Sequence, residues 1–397
     1  MVYFRSLRAI ALACALCIAP AAAQAESLRE ALTQAYLNNP TIMSALLSVY
    51  SAAENIVLAK SAKLPTVSGS ATTNLGSFQV SGGAFTTGDP SFSLGLTYAQ
   101  NLYDGGASDA DIEAARALTE LSRYTLQNSE QNVLLAVVQA YMGVIRDTQL
   151  VQLRQENVKF YQAQVDSANE RLKIGEGTKI DVSQAEARLA QATASYQSAI
   201  ASLQTSRASY ERYVGHKPSN LNNGFDVAKM LPRNLEAAIA EAVASHPAIR
   251  SAKAGIRAAQ ASSESAEAAF GPTLDLIGSL CAIDCIQGGG QGVTGSLRLS
   301  LSVPIYSGGR NGANFRKANI AQIKSEVDAL AARDQIKEAV ISAWSQMQSA
   351  AATITSAETA VSAGELSLNG VIEQRDVGQL TTLDVLNAQS ELSSVRE

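Results

Sequence analysis

The chain states nearly the same pattern twice, and a chain that repeats itself over some two hundred residues must fold as two copies of one large unit. Ser27 to Pro40 (SLREALTQAYLNNP) returns as Asn234 to Pro247 (NLEAAIAEAVASHP). Leu94 to Gly106 (LGLTYAQNLYDGG) returns as Leu297 to Gly309 (LRLSLSVPIYSGG), and Gly175 to Val182 (GEGTKIDV) returns as Gly378 to Val385 (GQLTTLDV). The last two pairs share one offset and the first differs from it by only a few residues. A period of this length excludes a short solenoid repeat.

The first residues read as an export leader. Arg5 and Arg8 precede an apolar run from Ala9 to Ala23, and Ala23-Gln24-Ala25 before Glu26 has the small-x-small form of a secretory cleavage site, giving residues 1–25 as a signal peptide. Lipid modification at Cys14 or Cys17 is the rival reading; bulky Leu16 before Cys17 and the stub of apolar run left before Cys14 weigh against it. No later segment holds the roughly 20 continuous apolar residues of a spanning helix.

Cleavage leaves Cys281 and Cys285 as the cysteines of the mature chain, and an oxidising envelope compartment favours a disulfide between them across a loop. A zinc site would need further His or Cys ligands, and the two histidines, His216 and His246, lie elsewhere, so neither metal nor cofactor is expected. A net charge of −5 gives no basic field for nucleic acid. Charged residues at 17% and aromatics at 5% are too few for an ordinary large globular core and suit long helices meeting along narrow seams.

Each half orders its elements alike: helix, two strands, very long helix, turn, helix. Leu28 to Leu64 reads as helix broken at Pro40. Asp109 to Ile174 holds no proline and the single glycine Gly143, with Leu134, Val137, Val138, Tyr141, Val144 and Ile145 in an apolar stripe. Asp181 to Tyr213 returns antiparallel. The second half repeats this from Gly312 to Val377 and from Asp384 on. The boundaries are therefore 26–215 for the first repeat with a β-hairpin at about 65–103, 216–233 for a linker, and 234–397 for the second repeat with a hairpin at about 272–306.

In these hairpins Leu297, Leu299, Leu301, Val303 and Ile305 alternate with Arg298, Ser300 and Ser302, and Phe92, Leu94, Leu96 and Tyr98 alternate with Ser93, Gly95 and Thr97. Strands of about ten residues with one apolar and one polar face are the signature of a membrane β-barrel; the bland alternative is a soluble sandwich edge. Four strands cannot close a barrel, and no strand edge stays open in hydrocarbon, so several chains must share one barrel. The fold class is thus mainly α with membrane β, internally duplicated, with long coiled-coil helices and four strands from each chain; a through-channel needs three chains or more, and three copies would give a trimeric 12-stranded β-barrel continued by a long coiled-coil helical barrel, the arrangement that the family resemblance below implies. Gly290 to Gly295 matches a dinucleotide pattern but precedes a strand, which makes it a loop, and nothing in the chain forms a catalytic constellation.

On the duplicated order, the breaks at Asn39-Pro40 and His246-Pro247, the Tyr-x-Gly-Gly endings at Tyr103 and Tyr306, and the two Gly-x-x-Thr-x-x-Asp-Val turns, the chain resembles the TolC family of outer-membrane efflux and secretion channels. The resemblance implies a homotrimer in outer-membrane lipid, continued by a helical tunnel through the periplasm and docked on a periplasmic adaptor (membrane fusion protein) and an inner-membrane ABC or RND pump. It implies no enzyme and no cofactor. A periplasmic coiled-coil adaptor without a barrel is the alternative. Family members continue beyond the point matching Glu397, so the resemblance implies a chain cut short there.

The resemblance also places Gly175, Thr178, Gly378 and Thr381 at helix-tip turns that dock the adaptor, and Asp384, Asn387 and Asp181 at the pore entrance. The best-known members carry a second acid where Asn387 stands, which halves the expected entrance charge. Members close the entrance with an arginine and a tyrosine; Leu380 and Arg375 occupy those places. A ring of Asp384 carboxylates would favour cations, each raising the others' pKa. Asp181 and Asp384 each open a helix after a turn, so helix capping is the competing role.

Overall fold

A computed structural model describes residues 26–397 except 82–83, 89–90, 223, 225–230 and 286–291. The leader, part of the linker and most of the glycine-rich segment before Gly292 lie outside the described residues. Helices are α1 (Leu28–Asn38), α2 (Pro40–Ser61), α3 (Ala107–Lys173), α4 (Lys179–Val214), α5 (Leu235–Ser245), α6 (Pro247–Ala268), α7 (Arg310–Asp376) and α8 (Thr382–Arg396). The repeat is visible in their lengths: α1 and α5 have 11 residues each, α2 and α6 have 22, and α3 and α7 have 67. At 1.5 Å rise, 67 residues are about 100 Å of contour.

The start and break signals are caps. Ser27 and Glu30 form a capping box ahead of α1, and the Asn234 side chain accepts from Ala237 N–H ahead of α5. At the proline breaks, Asn39 and His246 take extended backbone; Asn39 Oδ1 accepts from Thr41 N–H at 2.9 Å and His246 Nδ1 accepts from Ala248 N–H at 3.2 Å. Burial lowers the pKa of the His246 imidazole, which keeps that acceptor nitrogen neutral.

The chain divides into two compact units, one comprising residues up to Ile42, Glu130–Pro232 and Ala343–Glu397, the other Met43–Ser129 and Arg233–Ser342. The second unit holds a four-stranded antiparallel sheet in the order β1 (Thr66–Asn74), β4 (Ser91–Tyr103), β5 (Thr273–Cys285) and β6 (Gly292–Ser302). Between β1 and β4 the chain inserts a separate two-stranded hairpin, β2 (Ser77–Ser81) and β3 (Ala84–Gly88), which the sequence pattern did not announce. β6 stops at Ser302, short of the expected Ile305, because Pro304 has no N–H to give a ladder.

Register aligns the two faces. Leu94 lies opposite Ala282, Leu96 opposite Leu280, and Leu276 and Leu274 opposite Leu299 and Leu301, while Thr97, Ser279 and Ser296 share the other face. The apolar face is bare: Leu297, Leu299 and Leu301 are 76%, 62% and 67% exposed. A water-soluble sheet buries that face, so this sheet is built for an apolar surround. The outer edges of β1 and β6 are unpaired among the described residues.

The expected disulfide is corrected. Both cysteines lie within β5, where Cys281 pairs with Gly95 and Cys285 with Ser91, and the Cys281 thiol is free. Four residues of extended strand separate their Cα atoms by about 13 Å, against the roughly 7 Å limit for a bridge. The glycine-rich segment, too, is strand rather than loop from Gly292 on.

The first unit is a helical bundle with heptad seams. Buried residues of α4 are Ala185, Ala192, Ala199, Leu203, Tyr210 and Val214, spaced by sevens and fours. In α3, Val137, Tyr141 and Val144 of the expected stripe are buried, joined by Val133 and Ala140. Small seam residues let these backbones approach closely.

Candidate functional site: the helix-tip turns

Within the first unit, α3 turns into α4 and α7 turns into α8 through two loops that are copies of each other. Gly175 and Gly378 take φ of +83° and +78°, the left-handed conformation that ends a helix and favours glycine. Glu176 N–H donates to Arg171 O at 2.9 Å, and Gln379 N–H donates to Gln374 O at 2.9 Å.

The next helix then starts on a reciprocal capping box. Thr178 N–H and Oγ1–H donate to Asp181 Oδ2 at 2.9 and 2.7 Å, and Asp181 N–H donates to Thr178 Oγ1 at 3.2 Å. Thr381 and Asp384 repeat this at 2.8, 2.7 and 3.4 Å. The caps are the threonines, and the aspartates stand three residues inside, which corrects the reading of the aspartates as cap residues. Hydrogen bonds from Thr381 hold the Asp384 carboxyl below the usual carboxylate range, and those from Thr178 do the same for Asp181. Within one chain this runs opposite to the rise expected from a carboxylate ring.

α8 is the centre of the tip bundle. Leu386 packs with Tyr161 of α3 and Ala192 of α4, while Val385 and Leu392 pack with Leu368 of α7. A buried polar triad fixes its register: Gln389 Nε2 and Ser393 Oγ each donate to Asn157 Oδ1 at 2.8 Å. Such a group is stabilising only when fully satisfied, and no buried side-chain polar atom among the described residues lacks a partner. Asn387, expected to face the pore, accepts from Arg188 Nη2 of α4 at 3.1 Å.

Arg375 is buried at the end of α7. Its Nη1 donates to Gln164 Oε1 of α3 at 2.8 Å, and its Nε and Nη2 donate to Asp376 Oδ1 at 3.0 and 2.7 Å. Leu380 lines a cleft between the two turns with Arg171, Asp181, Arg375 and Thr381. So Gly175, Thr178, Asp181, Gly378, Thr381 and Asp384 come together at one end of the bundle, with Asn387 about one helical turn further along α8.

Sequence reasoning missed Asn157, Gln164, Arg188 and Gln389. Asn157 carried a readable signal, since it precedes Tyr161, Val165 and Ala168 on the seam of α3, where a polar residue marks register.

A duplicated chain of 67-residue helices, with an antiparallel sheet that bares its apolar face and leaves its edges open, defines a subunit of an outer-membrane channel. The family model described as outer membrane efflux protein matches residues 31–216 and 238–397, and the chain belongs to that family. The outer membrane efflux protein BepC of Brucella suis biovar 1 (strain 1330) is 38% identical over 379 residues, covering 94% of this chain and 81% of that protein. The outer membrane protein TolC of Escherichia coli (strain K12) is 23% identical over 411 residues, covering 94% of this chain and 78% of that protein. A crystal structure of CusC shares the fold at a TM-score of 0.80 with 20% identity, over 93% of this chain and 86% of that one. The protein is accordingly an outer-membrane efflux channel that extends into the periplasm. The coiled-coil adaptor alternative falls with this membership.

Proposed function

We propose that three copies close a twelve-stranded barrel in the outer membrane and give substrates passive exit from the periplasm when the helical end is docked on an adaptor and an inner-membrane ABC or RND pump. The observation that carries this reading is the sheet with two open edges and a bare apolar face. No open edge is stable in hydrocarbon, and four strands are too few to enclose a lumen, so the edges of β1 and β6 must find other copies. The exposed apolar residues Met43, Leu47 and Tyr50 of α2 and Ile320, Ile323 and Val327 of α7 then lie against neighbouring chains.

In this reading the turns at Gly175, Thr178, Gly378 and Thr381 meet the adaptor, and Asp384 rings the narrow end, with Asp181 beside it. Asn387 is a structural acceptor for Arg188 and adds no charge. The chain acts as a conduit, with no catalytic step and no cofactor. Planar-bilayer recording of the purified assembly tests this: a conducting pore with cation preference is expected, and an assembly that inserts but never conducts rejects it.

A further inference from the structure

The first unit holds a second buried polar cluster, gathered on Glu26. Glu26 is 9% exposed. Its N–H donates to Asn220 O at 2.7 Å, and its carbonyl accepts from Asn222 N–H at 3.0 Å and from the Tyr141 hydroxyl at 2.8 Å, a one-residue parallel bridge to Leu221. Its carboxylate accepts from the Tyr210 hydroxyl at 2.6 Å and the Ser219 hydroxyl at 3.5 Å, and lies 3.3 Å from His216 Nε2. Both tyrosines are fully buried, with ring centroids 6.3 Å apart, and the His216 ring lies 6.0 Å from that of Tyr210.

Burying a carboxylate is costly unless it is hydrogen-bonded. Here Tyr210 of α4 and Ser219 after it supply that bonding, while Tyr141 of α3 bonds the Glu26 backbone carbonyl. Burial, with the adjacent Glu26 carboxylate, pushes the Tyr210 phenol well above its ordinary pKa, so the hydroxyl remains a donor. Ser27, the next residue, already caps α1, so Glu26 directly adjoins the first helix.

We propose that Glu26 is the first residue of the mature protein and that this seat binds the processed N-terminus, tying it to the inter-repeat segment Ser219–Asn222. The leader is removed by hydrolysis of the Ala25–Glu26 peptide bond. Water's oxygen adds to the Ala25 carbonyl carbon, the C–N bond breaks, Ala25 leaves as a carboxylate, and both protons of the water end on the Glu26 nitrogen as an ammonium. The Asn220 carbonyl oxygen, which in the precursor accepts from a neutral amide, then accepts from a charged donor, a stronger bond. Processing and folding are thereby linked at one atom.

The test begins with intact mass and N-terminal sequencing of protein isolated from the envelope. Hydrogen exchange at residues 219–222 is then compared between the wild type, Glu26→Gln, and a chain with one alanine inserted between Ala25 and Glu26, which converts the ammonium back to an amide. A terminus at Glu26 is expected, with exchange at 219–222 faster on the order of tenfold in both altered chains and unchanged at the turns around Thr178 and Thr381. Should Glu26→Gln fail to fold, Tyr210→Phe removes only the hydroxyl donor and reads the same seat. A terminus elsewhere, or exchange in the alanine-inserted chain equal to wild type, overturns the proposal.

Discussion

Arg375 reaches from the end of α7 to Gln164 in α3, a residue 211 positions earlier, and donates to its side-chain carbonyl at 2.8 Å. That one guanidinium joins the second repeat's long helix to the first repeat's long helix beside both turns. Its other two nitrogens donate to Asp376, so each of the three guanidinium nitrogens is held in fixed geometry.

Arg375→Ala is therefore expected to lower stability by about 1.5–3 kcal/mol, the range for a lost hydrogen bond to a charged group, and to widen the helical end enough to raise single-channel conductance. Arg375→Lys should rescue little, since a point ammonium cannot reach Gln164 and Asp376 together. Denaturant midpoints and bilayer conductance check this; a lysine variant indistinguishable from wild type contradicts it.

The capping boxes separate charge from structure. Asp384→Asn keeps an oxygen for Thr381 and removes the charge, so cation preference should fall while the cap loses only the charge-assisted part of its bonding. Thr381→Ala should do the reverse, costing about 1 kcal/mol per subunit and leaving selectivity alone. Reversal potentials and melting curves on both variants distinguish the roles.

The pH dependence follows from the same bonds. Hydrogen bonds to Thr381 and Thr178 depress the folded-state pKa of Asp384 and Asp181, so the caps' contribution is present above the unfolded carboxylate range and is lost as pH falls through the folded value. Cation preference and tip stability should be flat from neutral pH to about 4 and fall only below it. Titration of selectivity between pH 7 and 5 would expose an error here, because a carboxylate ring with raised pKa loses preference in that window.

Much of this was legible in the residues. The duplication and alternating strands gave the architecture, since periods of two and of three-and-four survive any tertiary context. The turns were legible less fully: Thr-x-x-Asp is itself a capping-box pattern, and it names the threonine as cap. The cysteines misled because β5 runs on through Cys285, held by pairing with β4. Asn157 meeting Gln389, or Arg188 meeting Asn387, depends on pairing across the two repeats, which no local pattern encodes.

The free thiol gives an independent check on the sheet's faces. Cys281 lies opposite Gly95 and Thr294, on the polar face. In a Cys285→Ser chain it should react with a charged, membrane-impermeant thiol reagent and reduce conductance, and the wild type should show both thiols free by mass under non-reducing conditions. A mass lower by two hydrogens restores the disulfide and contradicts the strand.

The central claim is that four strands from each chain close a shared barrel in lipid. Native mass spectrometry of the mature protein extracted in detergent tests it most directly. The expected result is a trimer that requires detergent for solubility and dissociates when the edge pairing of β1 and β6 is blocked by proline substitutions at Ser70 and Leu297; a stable monomer, soluble without detergent, contradicts it.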